Sequence, residues 1–285
     1  MTFTYSKHYD LVFHVLAHMK VSNASNLYDE SYINWISQNK KDYSFDIIPA
    51  ISSLEKYYNE NFERLRKINF MPYYYNSYEV MKNQFLSYEM FTMKDKKYFI
   101  EPFIYILDSE SEFYFRYWDA TTEHIISTKR DIENYFIEKL SKFAFIFEYY
   151  QQPLKILFSY SITKNGRGII GDSFFVSVVK YPFSMDYIHY SLFFALHEYT
   201  HSFTNPLLQK QINMSDGSHY QSEILCILAD YYLIKAVDET LLPNYINIFC
   251  NEKPEEDEFL KKYAISDELN ILLQDELKKI LKSRK

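Results

Sequence analysis

The sequence predicts an α+β protein that is predominantly helical, on three observations. Apolar residues recur at three- and four-residue intervals through the first ninety positions. Runs rich in β-branched and aromatic residues are confined to two stretches, 97–118 and 174–179. Glycine occurs only 4 times in 285 residues, and three of the four lie together just before the second stretch. Two regions are expected. Residues 1–155 form a mostly helical N-terminal part with a β-hairpin near 97–118. Residues 156–285 join a strand to two long polar-marked helices, and the two regions can also be read as one continuous domain.

Helices are expected at Asp10 to Lys20, Asp29 to Gln38, Ala50 to Asn69 and Ser77 to Phe91. "YFIEPFIYIL" and "EFYFRYW", separated by "DSES", read as the hairpin. A helical pattern resumes at Thr128 and stops before Pro153. "SITKNGRGIIGDS" reads as a turn leading to a strand at Phe174 to Val179, which Pro182 closes. A helix capped by Ser184 or Asp186 then runs to Asn205–Pro206, and a second spans "HYQSEILCILADYYLIKAV". Two short helices around the acidic "NEKPEEDE" complete the chain.

The net charge of −7 is spread without a basic block, which argues against nucleic acid or an anionic membrane as partner. The 29 Tyr and 24 Phe accompany abundant Asn, Ile and Lys, residues that share A/T-rich codons. This reads as biased composition rather than a binding surface. Two cysteines, Cys226 and Cys250, imply no disulfide framework and suit a reducing cytoplasm. No signal peptide or membrane-length apolar run is apparent.

The chemistry concentrates in "FFALHEYTHSF", Phe193 to Phe203. On a helix, residues four apart project from one face, so His197 and His201 can aim a ring nitrogen each at one ion about 2.0–2.1 Å away. Glu198 is rotated by about 100° from His197. It is placed to contact a water on that ion and to act as general acid/base in attack on a carbonyl. His-Glu-x-x-His on a helix is a zinc-peptidase signature, and one Zn2+ per chain is expected, with a peptide or protein as substrate.

Catalytic zinc takes a third protein ligand. A third histidine following closely is absent, since Thr204 and Leu207 occupy the relevant positions. Glu223 on the next helix is the leading candidate, with His219 and Asp230 as rivals on the same face. Asp230 also suits a different role, accepting the second N–H of a ligand imidazole. His219, Tyr220, Tyr231 and Tyr190 are candidate stabilisers of a developing oxyanion.

The pattern resembles the gluzincin class of metallopeptidases. "LHEYTHSFTNPLL" is similar to a little-characterised bacterial family of gluzincin-like proteins with a His-Glu-x-x-His-Ser-Phe-x-Asn-Pro core. The resemblance implies a zincin-like catalytic region of strand, active-site helix and glutamate helix. It implies His197, His201 and Glu223 as metal ligands and Glu198 as the catalytic residue. It also implies that Phe174 to Val179 is the edge strand that aligns substrate. One departure stands out: the thermolysin-like form has an aspartate four residues after the ligand glutamate, where this chain has Ile227.

The chain contains its own control. "FHVLAHM" places His14 and His18 four apart on a helix but without an adjacent glutamate, and is expected to be structural. Cys226, three residues after Glu223, is expected to be a buried apolar residue.

Overall fold

The computed structural model describes residues 1–19, 30–40, 47–162, 166–171, 173–211, 218–250 and 255–284. Lys20 and Asp29, the turn at 213–217, the first half of the acidic stretch and the side chain of His219 lie outside the described residues. The chain divides into two compact units. A sheet unit holds Met1–Thr4, Thr128–Phe158 and Gly166–Lys285, and a helical unit holds Tyr5–Ser127 and Ser159–Asn165. The division therefore falls between residues 127 and 128, with a short return at 159–165, rather than at 155/156.

The helical unit contains α1 (Lys7–Leu16), α2 (Glu30–Asn39), α3 (Ile47–Glu60), α4 (Phe62–Leu65), α5 (Tyr78–Ser87), α6 (Met93–Asp95) and the first part of α7 (Glu101–Ser141). Ser6 and Ser77 cap α1 and α5 by accepting a backbone N–H three residues on. The core is built from large rings, among them Tyr9, Phe13, Tyr58, Phe85, Phe99 and Phe103, all essentially fully buried.

The hairpin expected near 97–118 is not formed. That stretch is a single π turn, Lys96–Ile100, running directly into α7. The physical reason lies in the spacing. Phe99, Ile100, Phe103, Ile106, Leu107, Phe113 and Tyr114 are all buried, a three/four repeat that a strand would split between two faces. The aromatic content favours strands, but packing of this stripe overrides it. "DSES" is not a turn: Glu110 within it is buried, and Ser109 and Ser111 donate to backbone carbonyls of the same helix.

In the sheet unit, α7 is followed by α8 (Ala144–Tyr149), after which Gln151 adopts φ 53° and turns the chain into a strand. The strands are β1 (Thr2–Tyr5), β2 (Leu154–Ser159), β3 (Arg167–Ile170) and β4 (Phe175–Lys180), in the order β1-β2-β4-β3. β3 and β4 are antiparallel, with Arg167 opposite Val178 and Ile170 opposite Phe175. The strand expected at Phe174 to Val179 thus exists as β4, but it is not an edge. It lies inside the sheet with Phe175 to Val179 buried, and β3 is the edge strand beside it.

Five helices complete this unit: α9 (Ile188–Gln211), α10 (Ser218–Val237), α11 (Leu242–Cys250), α12 (Glu256–Lys262) and α13 (Asp267–Lys282). α9 does not stop at Asn205–Pro206 but carries Pro206 inside it. Burial of Leu207 and Leu208 just beyond the proline outweighs the one helix hydrogen bond that proline removes.

Among the polar groups of the helical unit, Asp95 is fully buried. It accepts from Arg64 Nε (2.5 Å) and Nη2 (2.8 Å), from Tyr57 Oη (3.0 Å) and from Thr92 N (2.8 Å). Burial favours its neutral acid, but the donors, Arg64 foremost, hold the carboxyl well below the usual carboxylate range. Its folded pKa lies below its unfolded one. Its contribution to stability is therefore complete above about pH 4 and drains away as pH falls through the folded value. Asp95→Asn should cost about 2 kcal/mol at neutral pH and flatten the acid limb of a urea-unfolding series. An unchanged acid slope would contradict the assignment.

Candidate metal centre

α9 is held in place by β4 and the loop before β2. Ser177 Oγ on β4 donates to Ala195 O (2.7 Å), Ser191 Oγ donates to Lys180 O (2.6 Å), and Tyr199 Oη donates to Gln152 O (3.0 Å). The helix is apolar nearly all round, with Leu192, Phe193, Ala195, Leu196, Tyr199 and Phe203 buried, as befits a helix in a core. Polar side chains on such a helix need partners. Thr200 and Thr204 each donate back to the carbonyl four residues earlier (3.1 and 3.0 Å).

The two motif histidines are met by α10. His197 Nδ1 lies 2.8 Å from Asp230 Oδ2, and His197 Nε2 lies 3.2 Å from Glu223 Oε2. His201 Nδ1 lies 3.2 Å from Ser222 Oγ, and its Nε2 lies 3.4 Å from Glu223 Oε1. Each ring is thus anchored through Nδ1 and turns Nε2 towards the same carboxylate. The anchors are themselves fixed. Asp230 accepts from Thr200 Oγ1 (2.5 Å) and Tyr245 Oη (3.3 Å), and Ser222 donates to Asn205 Oδ1 (2.6 Å). Phe194 and Phe249 wall the His197 ring, with centroids 6.0 and 5.5 Å away.

Cys226 completes the cluster. It is fully buried one turn after Glu223, and its thiol donates to His197 O (3.1 Å). His197, His201 and Cys226 present ligand atoms within 4.8 Å of one another, a group that can hold a metal ion. Two third donors therefore compete on α10: the Glu223 carboxylate, which faces both Nε2 atoms and is 35% exposed, and the buried Cys226 thiol.

The proton affinities of both imidazoles are set by their acidic neighbours on α10. Burial works against protonation of His197, yet Cys226, Asp230 and Glu223 outweigh it and raise its proton affinity well above the usual histidine range. Burial likewise opposes charge on His201, while Cys226 and Glu223 carry it up to about 11. For Glu223, burial favours the neutral form, but hydrogen bonds from both imidazoles hold it well below the usual carboxylate range.

Glu198 is half-buried and points at the glycine segment leading into β3. A Cβ at Gly166 would stand 2.5 Å from Glu198 Cγ, and one at Gly168 would stand 3.3 Å from Glu198 Oε2 and 2.7 Å from the Phe175 ring. No described glycine has positive φ, so glycine serves here for close approach rather than for an unusual backbone.

His197, His201, Glu223 and Asp230 thus meet at one place, with Glu198 on the neighbouring face towards β3. Asp230, seven residues after Glu223, supplies the acceptor that Ile227 cannot. Ser222 was not anticipated, and no spacing signal marks it. Cys226, on a similar face to Glu223, is buried as the sequence leads one to expect, and its thiol lies near both histidines, the alternative that the same spacing allows. Tyr231 is committed elsewhere, bonding Glu256 and Lys235, and Tyr220 is strongly exposed. A cavity of about 570 Å³ lies against α11, lined by Leu242, Asn244, Asn247 and Glu256 among others, and none of the motif residues borders it.

In the control pair, both nitrogens of the buried His14 are occupied, Nδ1 by Tyr32 Oη (2.9 Å) and Nε2 by Glu110 Oε2 (3.0 Å). Lys40 pairs with the second oxygen of Glu110. His18 Nδ1 lies 2.7 Å from His14 O, and burial lowers its proton affinity to about 3.

Comparison with protein-family models, curated proteins and solved structures gives no match. Among the described residues no helix is long and apolar enough to cross a membrane.

The packing of Glu198 against Gly166 has a measurable consequence. Gly166→Ala should cost about 1 kcal/mol in urea unfolding of the otherwise unchanged chain, and close to nothing when Glu198 is already alanine. Equal costs in the two backgrounds would contradict the close approach.

Proposed function

We propose that the protein is a zinc-dependent peptidase with a zincin-like catalytic region, acting on a peptide or protein substrate. One observation carries this reading: two helix-borne imidazoles, each anchored at Nδ1, turn Nε2 on the single carboxylate of Glu223. The donors available are imidazole nitrogen, carboxylate oxygen and thiol sulfur. Calcium and magnesium take oxygen ligands, so this set favours zinc. His197, His201 and Glu223 hold the ion, and Asp230 and Ser222 orient the two rings. When bound, zinc supplies Lewis-acid polarisation and a water of lowered pKa.

Glu198 takes the proton of the attacking water and returns it to the leaving amine. Gly166 and Gly168 keep the Glu198 carboxylate close to the edge of the sheet. An extended substrate pairs with the open side of β3, where β-augmentation needs only an unpaired strand edge. The low cysteine count supports a cytoplasmic location.

A second reading is a catalytically inactive zinc-binding or regulatory protein on the same framework. Cys226 favours it, because thiolates are common in closed, structural zinc sites. Glu198→Gln separates the two. On the peptidase reading it keeps zinc and loses about 10²-fold or more of metal-dependent cleavage of a quenched peptide library. Equal cleavage by wild type and variant would remove Glu198 from the mechanism, and no cleavage by either would favour the inactive protein. Asp230→Ala should weaken zinc binding about 10–100-fold, read by competition with a chromophoric chelator.

A further inference from the structure

Two packed helices each carry a pair of donor side chains here, and three of the four, His197, His201 and Cys226, place ligand atoms within 4.8 Å of one another. His197 and His201 are four apart on α9, and Glu223 and Cys226 are three apart on α10, spacings that put each pair on one helix face. Glu223 is about one-third exposed, whereas Cys226 is fully buried. The sulfur shares a 4.8 Å neighbourhood with a ligand nitrogen of each histidine. In a tetrahedral zinc site, sulfur–nitrogen separations are about 3.5 Å, given bonds of about 2.3 and 2.0–2.1 Å. The closure needed is about 1 Å. The thiol donates to His197 O and also interacts with the side chains of His197 and His201.

We propose that Cys226 is a fourth protein ligand of the centre, so that the metal rests in a closed His₂-Glu-Cys site and Cys226 must leave it before Glu198 can act. On binding, the S–H proton passes to solvent, the hydrogen bond to His197 O is lost, and a sulfur–metal bond forms. Three-ligand sites keep a position for water, whereas four-ligand sites do not, so opening the centre would break the sulfur–metal bond, return a proton from solvent to the thiol and admit water to the freed position. The inference rests on the metal-centre reading above.

Cobalt(II) substitution tests both and separates them. The full-length protein is loaded with Co²⁺, and its near-ultraviolet spectrum and metal stoichiometry are recorded. The expected result is one equivalent of cobalt with a thiolate-to-cobalt charge-transfer band. The band should be absent from Cys226→Ala and Cys226→Ser, which should still bind cobalt, and unchanged in Cys250→Ala. Peptide cleavage per bound metal should rise in Cys226→Ala. Bound cobalt without the band in the wild type overturns the thiol ligand and leaves the His–His–Glu site standing. A band with no rise in cleavage per metal overturns the closed resting state. No bound cobalt overturns the metal centre itself. The wild-type spectrum and the Cys250 control decide the ligand even if the Cys226 variants fail to fold.

Discussion

The buried contact between His197 Nδ1 and Asp230 Oδ2 is the interaction on which the rest of the centre depends. It ties α9 to α10 at their closest functional point and fixes which nitrogen of His197 remains available. Asp230 is itself fully buried, and a lone carboxylate there would be costly. Thr200 and Tyr245 share the load, so the aspartate is held by α9 and α11 as well as by its own helix. Once His197 is set, Glu223 can face both rings, and the packing of α10 on α9 brings Cys226 close to them. The serine bonds between β4 and α9, Ser177 to Ala195 O and Ser191 to Lys180 O, fix α9 against the sheet.

The two histidine pairs show how little spacing says by itself. His14 and His18 match His197 and His201 in their four-residue separation, yet their environments differ in kind. Glu110 beside His14 is balanced by Lys40, so that cluster already has its positive charge and both nitrogens of His14 are spent. Around His197 and His201, two acidic side chains and a thiol converge without lysine or arginine among the partners described above. The first arrangement stabilises a core. The second has the donor chemistry of a metal site.

Much of this was legible in the sequence. His197, Glu198 and His201 declare themselves by identity and spacing, and Glu223 by falling on the next helix after a polar turn. Two residues of the glycine cluster, Gly166 and Gly168, pack closely against Glu198, so glycine here has a steric reason beyond turn formation. Asp230 was harder, since seven residues separate it from Glu223 and the expected position was Ile227. Ser222 and the contribution of Cys226 depend on rotamers and helix–helix contact, which periodicity does not encode. At 97–118 aromatic content misled. The buried three/four stripe, visible in the same letters, was the better guide. The edge position of β3 was hidden for a different reason: strand order is set by pairing, and a four-residue strand carries almost no signal of its own.

The central claim is that the α9–α10 cluster, and not the other histidine pair, holds one zinc ion. Elemental analysis of the purified protein and two single variants tests it most directly. The account predicts one equivalent of zinc in the wild type and in His14→Ala, and a large loss in His201→Ala. A wild type without zinc, or zinc retained by His201→Ala and lost from His14→Ala, would contradict it.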